Sequence, residues 1–267
     1  MKALLLAAGL GTRLLPFTQN WPKCLMPIHK RPLLEYWLEA LRLQKIDDIM
    51  VNRHHHADIV KRFINQPQYT DWVKSTYEPS LLGTAGTLRK NSDFFGKEAI
   101  LLVHADNWSC CNFSDFILYH QNYRPRGTLI TMMTFDCPTP ETCGIVELDK
   151  RGQVTNFYEK VKNPPSKLAN AAVYIIEPEV LSWINNNSKV LDFSTEVLPN
   201  FIGKIATWKN KNIHKDIGTI SMLIKAQKDK CYLEPWSEKN LWQHEFMKHP
   251  IHQEIEVEIG VKEEDGR

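Results

Sequence analysis

The segment Leu4-Leu5-Leu6-Ala7-Ala8-Gly9-Leu10-Gly11-Thr12-Arg13 limits what this chain can fold into more than any other. Residues 2–7 read as a strand without polar alternation, the pattern of a strand buried on both faces of a parallel sheet. The strand runs straight into small residues. Glycine opens backbone conformations closed to other residues and lets main-chain N–H groups come close to a ligand. Such loops lie at the carboxyl ends of strands, where open α/β sheets bind ligands. Arg13, and Lys23 directly after Pro22, add fixed positive charge that suits a triphosphate. The dinucleotide pattern G-x-G-x-x-G fails because Leu14 stands where the third glycine belongs, and no Gly-Lys-Ser/Thr occurs, which removes the P-loop.

The rest of the first half repeats a strand–helix alternation. Strands are expected at residues 48–51, 72–77 and 99–103, and helices at 33–43, 57–64, 84–90 and 113–123. This alternation gives βαβ units and a mainly parallel sheet covered on both faces. After Gly127 the texture changes. Residues 128–135 are rich in β-branched side chains and methionine, and 145–148 and 154–158 flank Asp149-Lys150-Arg151-Gly152, a hairpin signal. Further strands are expected at 171–176, 205–208 and 213–215, and helices at 178–184, 195–201 and 219–228. From Asp229 the chain holds Trp236, Trp242, the alternating residues 254–259 and a charged, frayed end at 263–267. The expected architecture is a three-layer, Rossmann-like α/β fold with a central mixed, mainly parallel sheet over residues 1–228, followed by an extension at 229–267.

Composition narrows the function classes. With 43% hydrophobic and 24% charged residues the 267-residue chain is ordinary globular protein, not disordered, collagen-like or a coiled coil. Its 33 Lys+Arg against 31 Asp+Glu leave a net charge of +2, without the basic excess of a nucleic-acid binder, so small molecules are the expected partners and nucleic acid is not. No apolar run approaches the roughly 18 residues of a membrane span. Residues 3–10 are too short for a signal peptide and lead to no cleavage site. Six scattered cysteines without a C-x-x-C pair read as a cytoplasmic protein with reduced thiols. His54-His55-His56 cannot all face one point, and no metal is expected there. The C-terminal tryptophans either anchor the tail on the domain or form a subunit contact, which leaves a homo-oligomer open.

The motif L-A-A-G-x-G-T-R at residues 6–13, followed by Pro22-Lys23, resembles the signature of the sugar-phosphate nucleotidylyltransferases. Those enzymes join a nucleoside triphosphate to a sugar 1-phosphate and release pyrophosphate. The resemblance continues in order through Glu78, Leu82-Gly83-Thr84-Ala85-Gly86, Asp106, Gly144, Glu159-Lys160, Asn170 and Asp216-Ile217-Gly218-Thr219. It covers residues 1–228, with a nucleotide half at 1–127 and a sugar-phosphate half at 128–228. Glu78 with Leu-Gly-Thr-Ala-Gly is most similar to mannose-1-phosphate guanylyltransferase-type members. The chain departs from the family pattern at Ala105 and Ala172, where glycine is usual.

The resemblance implies a role for each matching residue. Leu6, Ala8, Gly9, Gly11 and Thr12 hold the nucleotide. Arg13 neutralises the leaving pyrophosphate, and Lys23, expected as a loop cation dispensable for stability, binds the phosphates at the reacting centre. Asp106 and Asp216 hold the cofactor, Mg²⁺. Gly144, Glu159, Lys160 and Asn170 take the sugar 1-phosphate. Glu78, Gly83 and Thr84 read the base, with the two Glu78 oxygens accepting from guanine N1–H and its exocyclic amine, so GTP is the expected donor. The alternatives are a uridylyl- or thymidylyltransferase and a non-catalytic, nucleotide-sugar-binding regulatory homologue.

Overall fold

The computed structural model describes residues 1–264, with side chains through Gly260; residues 265–267 of the charged end lie outside the described residues. The first half contains, in chain order, β1 (Lys2–Leu6), the short hairpin β2 (Pro27–Ile28) and β3 (Arg31–Pro32), α1 (Leu33–Leu43), β4 (Ile49–Arg53), α2 (Ala57–Ile64), β5 (Val73–Tyr77), α3 (Thr84–Lys90), α4 (Ser92–Phe95), β6 (Ile100–His104), β7 (Asn107–Ser109) and α5 (Phe113–Leu118). The second half continues with β8 (Ile130–Asp136), β9 (Gly144–Leu148), β10 (Val154–Glu159), β11 (Leu168–Ile176), α6 (Pro178–Asn186), β12 (Ile205–Lys209), β13 (His214–Asp216), α7 (Ile220–Ala226), α8 (Leu241–Met247) and α9 (Ile251–Glu264).

The apolar strand β1 lies between β4 and β6, parallel to both, and β4 is parallel to β5. Its side chains alternate between two cores: Ala3 and Leu5 join the cluster under α1 and α2, and Leu4 and Leu6 join the cluster under α3 and α6. That two-sided burial explains the missing polar alternation. The chain winds from β1 through β4 to β5 in one direction, then returns to β6 on the other flank of β1. The crevice beyond the carboxyl ends of β1 and β6 is therefore a topological switch point, the place where open sheets bind ligands. The second half extends the sheet with antiparallel β11 and β8 and with β12, parallel to β8. The β9–β10 hairpin joins at Ala169↔Ile145. The β11–β8 register shifts between Asn170 and Tyr174, where Ala172 stands at φ 54°.

A separate two-stranded ladder matters more than its size. Antiparallel β13 and β7 pair His214 with Ser109, Lys215 with Trp108 and Asp216 with Asn107. On the middle rung the Lys215 ammonium donates to both oxygens of Asp229, at 2.5 and 2.6 Å, and the Trp108 indole N–H donates to Oδ2 of Asp229 at 2.9 Å.

Four local readings are revised. The helix expected over 113–123 ends at Leu118 and closes with a wider π turn, Tyr119–Tyr123. Residues 195–201 form a π turn, Phe193–Val197, and a 3₁₀ turn, Leu198–Phe201, rather than a longer helix; Pro199 has no N–H to extend one. The alternating residues 254–259 are helical: Ile251, Ile255 and Ile259 repeat every four residues and pack inward, leaving Val257 exposed. Finally, the expected reduced thiols are corrected at Cys110–Cys231, which form a disulfide with Cα atoms 6.6 Å apart. The ladder edge, where Cys110 N–H donates to the Ile213 carbonyl, meets the returning chain there and closes a sequence separation of 121 residues that spacing alone cannot reveal.

The segment after Asp229 packs on the first half. Trp242 stacks on Phe246 with centroids 5.1 Å apart and meets Phe63 edge-on at 4.9 Å, and the Trp236 indole N–H donates to Glu35 at 2.9 Å. Among the described residues no helix is long and apolar enough to cross a membrane.

Candidate active site

Four cationic and acidic side chains meet at the switch point. Lys23 begins a 3₁₀ turn, Lys23–Leu25, after the extended Pro22. Its ammonium donates to Asp106 Oδ2 at 2.9 Å and to Asp216 Oδ1 at 2.8 Å. Arg13 donates to the other Asp216 oxygen at 2.9 Å. Asp106 follows β6 by two residues. Asp216 reaches it across the last rung of the β7–β13 ladder, which brings together residues distant in sequence. The Lys23 side chain is only 5% exposed, against 31% for Asp106 and 47% for Asp216, so the expectation of a dispensable loop cation is overturned. Burial alone would lower the Lys23 pKa, but the two carboxylates outweigh it and hold it above its ordinary value. Burial alone would push the Asp216 carboxyl up; Lys23 and Arg13 outweigh that and hold it at about 2.

Two carboxylates converging on one ammonium are also the arrangement that would hold a divalent cation. Among the described residues no cluster of three or more His, Cys, Asp or Glu side chains is suited to a metal. Mg²⁺ commonly takes only one or two carboxylates, with phosphate and water oxygens completing its shell, so Asp106 and Asp216 fit.

Beside this cluster a cavity of about 210 Å³ is lined by Leu6, Ala8, Gly9, Glu78, Gly83, Thr84 and Asp106, together with Asn52, Thr87 and His104. Seven of the expected residues thus meet in one pocket. Gly11 stands just outside it at φ 64°, where a Cβ would come within 2.7 Å of the Thr18 methyl, so both backbone and space demand glycine. Thr12 is exposed next to it. Glu78 is 1% exposed. Its Oε1 accepts from the Asn52 amide at 3.0 Å and from the Thr87 hydroxyl at 2.6 Å, and Oε2 accepts from the Leu82 N–H at 3.3 Å. A carboxylate has about four acceptor positions. Oε1 is therefore full and one position remains on Oε2, so the expected pairing of both oxygens with guanine is not open in this arrangement.

The residues expected to take the sugar phosphate lie at the paired ends of β9 and β10 and on β11. Glu159 pairs directly with Gly144 across the β9–β10 hairpin. A Cβ on Gly144 would lie 2.7 Å from Glu159 Oε2 and 2.6 Å from the Phe157 ring, so the carboxylate rests where only glycine leaves room. Lys160 turns away at φ 49° and meets Glu159 at 3.4 Å. Asn170 donates to the Tyr174 hydroxyl at 2.6 Å and accepts from Ala172 N–H at 2.9 Å.

Sequence reasoning missed Asn52, Thr87 and His104. Asn52 accepts from the Ala7 N–H at 2.7 Å and donates to Glu78, tying the end of β1 to the residue after β5. The signal was available: a lone amide ending a parallel apolar strand lies at the ligand-binding edge. Burial holds the His104 imidazole below its ordinary pKa, hence neutral at pH 7, and its Nε2 has no hydrogen-bond partner among the described residues.

Residues 2–231 match the family model described as Nucleotidyl transferase. The chain is 30% identical over 218 residues to a UTP–glucose-1-phosphate uridylyltransferase of Synechocystis, covering 76% of this chain and 55% of that protein. It is 28% identical over 190 residues to mannose-1-phosphate guanylyltransferase 1 of Arabidopsis thaliana, covering 69% and 52%. The chain thus spans about half the length of these curated relatives. Its fold matches, with a TM-score of 0.77 at 21% identity, a Bacillus anthracis structure described as a glucose-1-phosphate thymidylyltransferase in complex with a sucrose, covering 88% of this chain and 98% of that one.

Proposed function

The chain belongs to the nucleotidyl transferase family, and from that premise we propose that it transfers a nucleoside monophosphate from a nucleoside triphosphate to a sugar 1-phosphate, giving a nucleotide sugar and pyrophosphate. The observation that carries this reading is the convergence of Arg13, Lys23, Asp106 and Asp216 at the switch point. The acceptor phosphate is already ionised, so in-line attack of its oxygen on the α-phosphorus needs no strong base. Positioning and charge neutralisation suffice. Lys23 donates to phosphate oxygens at the reacting centre, and Arg13 neutralises the departing pyrophosphate. Asp106 and Asp216 would hold Mg²⁺, which supplies charge neutralisation to the phosphates when bound. Gly144, Glu159, Lys160 and Asn170 take the sugar phosphate, with the Glu159 carboxylate accepting from sugar hydroxyls.

GTP is the favoured donor on the likeness of Glu78 with Leu82-Gly83-Thr84-Ala85-Gly86 to guanylyltransferase-type members, and the open position on Glu78 Oε2 would accept guanine N1–H. The same single position would accept uracil or thymine N3–H, which keeps UTP and dTTP as the second reading. The deciding experiment measures pyrophosphate release for GTP, UTP, dTTP, CTP and ATP against a panel of hexose and heptose 1-phosphates. GTP should give the highest kcat/KM. Release with no pair, from protein that binds nucleotide sugar, would instead identify a regulatory binder.

A further inference from the structure

The three consecutive histidines after β4 are not metal ligands, yet each makes a directed contact with the nucleotide side of the site. His55 Nε2 lies 2.9 Å and His56 Nε2 3.1 Å from one acceptor, the Thr18 carbonyl oxygen. A carbonyl carries no proton, so both rings hold theirs on Nε2 and fill both acceptor positions of that oxygen. Thr18 is 1% exposed. Its hydroxyl donates to the Gly11 carbonyl at 2.9 Å, and its methyl occupies the space a Gly11 side chain would need. His54 turns the other way: its Nδ1 lies 2.8 Å from the carbonyl of Glu78. His56 stands at φ 50°, a conformation that costs a non-glycine residue about 1 kcal/mol and persists where surrounding contacts over-determine it.

We infer that His55 and His56 are positioning residues for the triphosphate: they fix Thr18, and through its hydroxyl they set the height of the Gly11 loop over the reacting centre, while His54 anchors the base end of the same pocket. This rests on the nucleotidyl-transfer reading and adds to it a pair of residues that touch no substrate. The two imidazoles come from the turn that joins β4, the strand beside β1, to α2, so the phosphate loop is referenced to a second strand–helix unit rather than to its own flanks alone. Loss of that reference should weaken nucleoside triphosphate binding and leave sugar phosphate binding alone.

The test compares the full-length protein with three variants: His55→Leu/His56→Leu, His55→Gln/His56→Gln and Thr18→Val. The glutamine amide places an N–H where the imidazole Nε2–H stood; leucine fills space without a donor. The leucine pair should raise KM for GTP about 10-fold or more, on the scale of a slightly misplaced reactant, while KM for the sugar 1-phosphate changes less than about 2-fold. The glutamine pair should recover most of the loss, and Thr18→Val should reproduce it. Binding of GTP and of pyrophosphate, measured by calorimetry, should weaken in parallel, and amide exchange over residues 9–13 should quicken in the leucine pair. An unchanged KM for GTP in the folded leucine pair, equal rises in both KM values, or a glutamine pair no better than leucine would overturn the inference. A wild-type protein that binds none of the five nucleoside triphosphates and no pyrophosphate would refute the enzymatic reading; amide exchange over residues 9–13 would then decide the loop clamp by itself, unchanged exchange in the leucine pair refuting it.

Discussion

Replacing Lys23 by methionine keeps the length of a nearly buried side chain and deletes its charge. The ammonium stands between two carboxylates at 2.9 and 2.8 Å. Lowering Asp216 from 3.8 to about 2 corresponds to about 2 kcal/mol in favour of the ionised folded state. Arg13 shares that effect, and the 47% exposure of the Asp216 side chain screens it, so about 1 kcal/mol falls to Lys23. Leaving Asp106 and Asp216 to face each other without the ammonium adds about 1–2 kcal/mol. Lys23→Met should therefore be destabilised by about 2–3 kcal/mol at pH 7. The sign of the pH dependence follows from the depressed Asp216 value. Its contribution is complete above the unfolded value of 3.8 and is lost as pH falls toward 2, so the gap between wild type and variant should narrow across that interval. The raised Lys23 value works at the other end: its contribution is present below 10.5 and is lost only as pH rises through the higher folded value. Urea denaturation of both proteins at pH 7, 5 and 3 measures this directly. Stability within about 0.5 kcal/mol of wild type at pH 7, or a gap that does not shrink between pH 5 and 3, would refute the electrostatic argument. Turnover of the folded variant should fall about 10²-fold or more, as for other groups that stabilise developing charge.

Three further outcomes are expected. Glu78→Gln should place its amide oxygen toward the Asn52 and Thr87 donors and present an N–H where Oε2 stood, facing the base N–H; kcat/KM for GTP should drop by about 1–3 kcal/mol, and UTP and dTTP, which use the same single position, should drop alongside it in the same assay. Asp106→Asn and Asp216→Asn should each shift the Mg²⁺ titration of activity, and their combined effect should be less than additive because both act on one cation; wild-type titration curves in both single variants would remove them as ligands. Ala172→Gly relieves an alanine at φ 54°, worth about 1 kcal/mol, against a smaller entropic penalty, so a net gain of about 0.5 kcal/mol in urea denaturation is expected; a loss would mean that the methyl packs more tightly than its backbone strain costs.

The parallel half of the fold was legible because its signals are local. An apolar run such as Leu4-Leu5-Leu6 needs cover on two faces, and the boundaries of α1, α2 and α3 agree with the periodicity of their residues. The glycine loop and Asp106 were legible for the same reason, lying just past the carboxyl ends of β1 and β6, whereas Glu78, Gly83 and Thr84 came from the family resemblance. What stayed hidden depends on partners distant in the chain. Nothing near Lys23 tells that Asp216 will bury it, and nothing near Cys110 points to Cys231. The state of Glu78 was misread because its carboxylate is filled by Asn52 and Thr87, on different elements. Three adjacent histidines look like a metal motif or noise until Thr18 is seen beneath two of them.

The ladder of β7 and β13 has a consequence for how this site tolerates insertion and deletion. Side chains of a strand alternate in direction, so a slip of one residue exchanges the faces. Here the residue next to Asp216 is Lys215, and a slipped register would offer the Lys23 ammonium a second cation in place of a carboxylate. The electrostatic sign of the cluster is thus written in the parity of the turn preceding β13. Asp229 guards that parity from the opposite face: by gripping Lys215 and the Trp108 indole together, it makes the correct rung the one in which both cation and indole are satisfied. A residue outside the phosphate chemistry therefore acts as a frame marker for it.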